Sequence, residues 1–242
     1  MKGKFPDMAI KINPSDTNFS GGELIELKDS KSYTVSSFNS TIPVGQKKIS
    51  DVISGENDKI KLQMEEAGNH IDSLPVRGVF YLIRGRKKEF VKVCLVHGSF
   101  FQTVEVEELI KQSFNKVLEE RLIETNESIS DDEKEKLLSL LCVQENFSKV
   151  RDVDNASVKL RFRIMTEVKA EGNILNSIKY PDIKDNTLNL VLPRHNDHDE
   201  EKAIRKMRLV FNDNEYSQFD VITLQHLLNG KFIVFQIPLD SV

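Results

Sequence analysis

A chain of 242 residues with 39% hydrophobic and 30% charged side chains has the composition of a folded soluble protein, which excludes a fibre and wholesale disorder. No run approaches the roughly 18 apolar residues that a membrane helix needs. Met1 to Asp7 lacks the apolar core of a signal peptide, so a cytoplasmic location with no membrane attachment is expected. The net charge of −4 argues weakly against a non-specific nucleic-acid binder, yet leaves room for basic residues gathered in one cleft.

In chain order, Asp7 to Ile12 and Glu23 to Lys28 read as short strands, separated by the turn-forming Asn13-Pro14-Ser15-Asp16 and by Gly21-Gly22. From Gly45 to Gly68 the apolar residues are irregularly spaced and interrupted by Gly55, which predicts one or two short helices. Val79 to Ile83 and Phe90 to Val96 are apolar, β-branched and aromatic, predicting two buried central strands joined by a basic turn, Arg84 to Lys88. Val106, Leu109, Ile110, Phe114, Val117, Leu118 and Leu122 recur at three and four, the stripe of an amphipathic helix. Ser130 and Glu133 supply a capping box for a second helix through about Phe147. Val158, Leu160, Phe162 and Ile164 alternate with Lys159, Arg161 and Arg163, a half-buried strand with a basic outer face. The acidic run Asp197 to Glu201, beside Lys202, Arg205, Lys206 and Arg208, reads as solvated surface, and Phe232 to Ile237 as a last strand.

The two cysteines, Cys94 and Cys142, stand in apolar runs and read as inert core thiols. His97, His195 and His198 have no partner at metal-binding spacing and are given no catalytic role. No G-x-S-x-G elbow, Walker-type loop or paired Gly-x-Gly loop occurs, so acyl transfer and nucleotide hydrolysis have no support.

The stretch that carries chemistry is Pro6-Asp7, eighteen intervening residues, then Glu26-Leu27-Lys28. Residues two apart on a strand share a face, so Glu26 and Lys28 project into the same space while Leu27 is expected to turn to the core. With Asp7 on a neighbouring strand, the Asp7 and Glu26 carboxylates, the Leu27 carbonyl and waters could form an oxygen shell suited to Mg²⁺. Such a metal polarises a phosphate oxygen, acidifies water and neutralises the leaving oxygen, with Lys28 as catalytic base or water-orienting group. Asp16 is an alternative first ligand, and Asp154 with Glu167-Val168-Lys169 repeats the same spacing elsewhere. The plain alternative is that Asp7 ends a turn and that Glu26 and Lys28 are an exposed polar strand face.

Asp7, Glu26 and Lys28 resemble, residue by residue, the motif of the PD-(D/E)xK nucleases. The following Asp29-Ser30-Lys31-Ser32-Tyr33 and Ser36 to Pro43 resemble the region after that motif in type II restriction enzymes. The likeness covers about the first hundred residues. It departs from the family in that only six residues precede Asp7, where the class usually places a helix.

The resemblance implies an α/β fold with a central mixed β-sheet flanked by helices, restriction-endonuclease-like. One domain over 1–242 is expected, with a catalytic core over about 1–120 and elaborations for DNA binding or dimerisation over about 121–242. The implied activity is Mg²⁺-dependent, site-specific hydrolysis of double-stranded DNA by a homodimer, since two-fold symmetry suits a palindrome cut on both strands.

Candidate DNA contacts are the small polar residues Ser36, Ser37, Asn39, Ser40 and Thr41 with Lys47 and Lys48, although an ordinary polar loop explains them as well. Arg161 and Arg163 could lie along a groove. Arg84, Arg86, Lys87 and Lys88 could clamp phosphate or simply be solvated. Two rivals remain: a repair or recombination nuclease of the same fold, and a non-catalytic DNA-binding or interaction module, which would need no divalent cation.

Overall fold

A computed structural model of the chain describes residues 5–13, 15, 21–35, 37–39, 43–53, 59–69, 73–102, 106–142 and 165–239. The predicted basic strand Val158 to Ile164, with Arg161 and Arg163, lies outside the described residues, as do Asp16, Ser36, Ser40, Thr41 and Asp154. The chain divides into two compact units, 1–36 with 43–103 and 168–242, and 37–42 with 104–167.

The first unit holds a mixed sheet of eight strands. Its strands are β1 (Met8–Ala9), β2 (Leu24–Ser30), β4 (Gln46–Lys48), β5 (Val76–Lys87), β6 (Phe90–His97), β8 (Thr187–Arg194), β9 (Asp220–His226) and β10 (Gly230–Pro238). The order is β1-β2-β5-β6-β8-β10-β9, with β4 paired to the start of β5. The β2/β5 and β6/β8 pairs are parallel and the others antiparallel. Helices α1 (Ile49–Val52), α2 (Lys59–Glu66), α5 (Asp197–Val210) and α6 (Asp213–Tyr216) flank it. An α/β architecture with a mixed sheet and flanking helices is thus present. The sheet draws three strands from the last 56 residues, 187–242.

One sheet face is the better packed: Leu24, Val79, Tyr81, Ile83, Cys94, Val96 and Val191 are each fully or almost fully buried. Both cysteines are buried and unoxidised, and burial pushes the Cys94 thiol up to about 12. That is the environment of an inert thiol.

The basic segment 84–88 is not a turn. β5 runs on to Lys87, and only Lys88 and Glu89 form the turn into β6. Gly85 explains the extension, because it lies against Leu175 and Tyr33, and a Cβ there would come within 2.5 Å of Leu175 Cδ1. The ladder therefore continues, and Arg84 and Arg86 leave the opposite face, where both pair with Asp29 at 2.9 and 3.3 Å.

The second unit contains α3 (Val106–Thr125), α4 (Asp131–Leu141) and the paired strands β3 (Ser37–Asn39) and β7 (Met165–Glu167). The predicted capping box is present: Ser130 Oγ accepts the Glu133 N–H, and the Glu133 carboxylate accepts the Ser130 N–H. Ile110, Leu138 and Cys142 form a small core there. Among the described residues no helix is long and apolar enough to cross a membrane.

Candidate active site

The two glycines at 21 and 22 set the geometry. Their φ values are +71° and +100°, in the half of conformational space that costs glycine least. A Cβ on Gly21 would meet the Lys11 carbonyl oxygen at 2.1 Å, and one on Gly22 the Leu74 Cδ2 at 2.6 Å. The chain therefore doubles back closely: Gly22 N–H donates to Ile10 O at 3.2 Å and Ile10 N–H to Glu23 O at 2.9 Å. A buried relay fixes the same strand from behind, with Arg77 Nη1 donating to Asn69 Oδ1 at 2.9 Å and Asn69 Nδ2 to Ile10 O at 3.1 Å.

Antiparallel pairing of β1 with β2 matches Met8 to Ile25 and Ala9 to Leu24. Continuing that register sets Asp7 against Glu26. The Asp7 side chain replaces the next rung of the ladder, its Oδ2 accepting the Leu27 N–H at 2.8 Å. A residue's N–H and C=O point to the same strand edge, so the Leu27 carbonyl faces the Asp7 side as well.

Glu26 is only 9% exposed. Its Oε1 accepts from Lys28 Nζ at 2.9 Å, whereas its Oε2 is buried with no hydrogen-bond partner among the described residues. Burial raises the carboxyl pKa above its ordinary 4.5; Lys28 opposes that rise, while contact with the Asp7 carboxyl adds to it. Two carboxyl groups thus converge on a partly dry spot with one oxygen unsatisfied, an arrangement relieved by a shared cation.

Leu27 departs from expectation. It is 44% exposed, and it is Glu26 and Lys28 that share the well-packed face. The parallel register with β5 is the reason: Glu26 lies beside Tyr81 and Lys28 beside Ile83, both on that face. Leu27 leaves the other face near the end of the sheet, where β1 is only two residues long.

Two residues at the site were not assigned to it by pattern. Tyr81, the register neighbour of Glu26, is buried, and its hydroxyl pKa is raised by burial and by the Glu26 charge. Lys47, predicted only as a DNA contact, has its pKa lowered by burial, against the pull of the Asp51 and Glu26 carboxylates. The signal for Tyr81 is a hydroxyl in the otherwise apolar run Val79 to Ile83; Lys47 arrives through long-range pairing with β5 and has no local signal.

The remaining candidates fall elsewhere. Lys48 is exposed on β4. Ser37 and Asn39 lie on β3, paired with Glu167 and Met165, within the second unit. Glu167 closes β7, whereas Lys169 lies beyond that strand, so this pair lacks the shared strand face that Glu26 and Lys28 have. His97 is largely buried beside Ser99, and burial holds its pKa down to about 4.

Among the described residues no three His, Cys, Asp or Glu side chains converge as a ready cage. Asp7 and Glu26 offer two carboxylates, and Mg²⁺ is commonly held by one or two, keeping several waters. The donor set and the orphaned Glu26 oxygen fit that ion. Compared with known proteins, the chain matches no family model, no curated protein and no solved structure.

Proposed function

We propose that this chain is a Mg²⁺-dependent nuclease with a restriction-endonuclease-like catalytic centre, cutting double-stranded DNA at specific sites as a type II enzyme. The observation that carries the reading is the convergence of Asp7 and Glu26 across β1 and β2, with a buried unpartnered Glu26 oxygen and Lys28 on the same strand face.

Asp7, Glu26 and the Leu27 carbonyl would hold the ion, which supplies Lewis acidity to a phosphate oxygen and charge for the leaving group. Glu26 accepts from Lys28, which keeps the ammonium beside the carboxylate pair, where it would orient the attacking water and the phosphate. Lys28 stays close to the reacting atoms because it and Glu26 share one face of β2. Cutting both strands of a palindrome calls for a homodimer.

The deciding assay incubates the purified protein with a long DNA of known sequence in Mg²⁺ and in EDTA. Discrete fragments that need Mg²⁺ are expected. A DNA left intact in both, or cut equally in EDTA, would overturn the reading. Lys28→Ala is expected to abolish cleavage while leaving duplex binding largely intact, because one lysine is a small share of the phosphate contacts. Cleavage at the unmodified rate in that variant would remove Lys28 from the mechanism.

A further inference from the structure

Beside Asp7 lies a cleft of about 170 Å³ between β1, the edge strand of the sheet, and helix α2. Its helical wall is Ile60, Gln63 and Met64, three and four residues apart on α2, with Ala67 just past the helix end. Its other wall is the segment from Pro6 to Ala9, which carries Asp7. Met8 is 49% exposed there, whereas Met64 is buried. Thioethers adapt to aromatic rings and make favourable contacts with them. An apolar cavity of roughly 150 Å³ takes a benzene ring, so the cleft is sized for one six-membered ring.

Polar groups stand at its edges. Ile10 turns its N–H and C=O to the β2 side, donating to Glu23 O and accepting from Gly22 N–H. Successive residues of a strand direct these groups to alternate edges, so those of Ala9 face away from β2, on the cleft side. Gln63 adds an exposed carboxamide, which both donates and accepts. Asn69, also in the lining, is engaged by Ile10 O and Arg77. Among the described residues Asp7 is the one charged side chain of the lining, and the Lys11 ammonium lies over Gly68, outside it. One carboxylate and no cation disfavour an anion, whereas apolar walls with donors and acceptors at the edge suit a neutral heterocycle. Two residues along a strand span about 6.6 Å, so Ala9 stands from Asp7 roughly as a base stands from the phosphate of its own nucleotide.

We propose that this cleft receives a pyrimidine base turned out of the duplex, with the phosphate of the same nucleotide at the Asp7 and Glu26 centre. The proposal rests on the nuclease reading above and adds the state in which the substrate strand is held. Turning a base out costs unstacking, least where the base is mismatched or single-stranded.

The test measures, by fluorescence anisotropy in EDTA so that strands stay whole, the affinity of short labelled oligothymidylate and oligoadenylate for the unaltered protein, Ala67→Phe and Gln63→Ala. Phenylalanine at the exposed position 67 fills the cleft, and alanine at 63 removes the amide from its edge. Thermal melts check folding, and Mn²⁺ titrations followed by electron paramagnetic resonance check that the carboxylate centre is kept. The unaltered protein should prefer oligothymidylate. Ala67→Phe should bind it on the order of ten-fold more weakly, the scale of one base contact, while keeping its Mn²⁺ and its affinity for oligoadenylate; Gln63→Ala should lose part of the same preference. A duplex with one thymine–thymine mismatch should bind the unaltered protein more tightly than its matched counterpart, and Ala67→Phe should erase that gain. Oligoadenylate bound as tightly as oligothymidylate, oligothymidylate affinity unchanged in both variants, or a mismatch gain that survives Ala67→Phe would overturn the cleft proposal and leave the nuclease standing. No binding of any of these strands, together with no Mg²⁺-dependent cleavage, would overturn both.

Discussion

Lys28 on β2 and Lys92 on β6 project from the same face of one sheet, two strands apart, and each meets a carboxylate. Lys92 is 1% exposed, and its ammonium is enclosed: Ser177 Oγ accepts it at 2.9 Å, Asp185 Oδ1 lies 3.7 Å away and the Tyr33 ring is 4.9 Å below. At the Lys28 site the buried partner is the carboxylate, and one of its oxygens is met while the other is not. A buried charge whose contacts are made within the chain contributes to holding the fold; one left short of contacts is a cost to the fold, which a bound cation would offset. The difference separates two clusters that composition alone makes look alike.

That contrast breaks most directly at Glu26. Glu26→Gln is expected to lower Mg²⁺-dependent cleavage on the order of a thousand-fold, the scale seen when a charge-stabilising group is removed. The melting temperature should hold or rise, since a buried, half-satisfied carboxylate is itself a cost. A large loss of stability with cleavage retained would place Glu26 among structural groups.

Lys92→Met should do the reverse. Losing a charge-assisted hydrogen bond costs about 1.5–3 kcal/mol, several degrees in melting temperature for a chain of this size. Mn²⁺ binding and cleavage should stay unchanged. A loss of metal binding in that variant would join the two clusters into one system.

The smallest effect is in pH. Because the folded-state pKa of Glu26 lies above its ordinary 4.5, the folded protein holds that proton more tightly than the unfolded chain. The contribution to stability is present below 4.5 and is lost as pH rises through the raised value. Metal binding should strengthen over the same interval. Melts and Mn²⁺ titrations across it, with Glu26→Gln as the flat control, check both signs.

Local pattern made much of this legible. Turn-forming flanks marked β2, and apolar, β-branched and aromatic runs marked β5, β6 and β10; period 3.6 marked α3; and Ser130 with Glu133 marked the start of α4. β8 escaped because its inward positions include Thr187 and Asn189, polar residues satisfied through Lys184, Val93 and Gln236 rather than by solvent. α5 escaped because its half-buried stripe, Ala203, Ile204 and Met207, is narrow and set among acidic and basic residues, and its cap pairs Asn196 with Asp199 instead of a serine with a glutamate. At the site, period two correctly joined Glu26 to Lys28. It could not say which side of the sheet is packed, and so misdirected Leu27. The approach of Lys47 and Tyr81 depends on strand pairing, which a sequence window does not contain.

The brevity of β1 has one more consequence. Backbone pairing with β2 ends at Ile25, and the Leu27 N–H is closed by the Asp7 side chain instead of by a strand. A ladder that ends on a side chain can fray without opening the sheet behind it. Release of Asp7 would then dismantle the carboxylate pair while β2, β5 and β6 stay folded. The Leu27 amide proton is accordingly a built-in gauge of whether the centre is assembled, and its exchange with deuterium should slow when a divalent cation binds, even where the neighbouring sheet amides do not change.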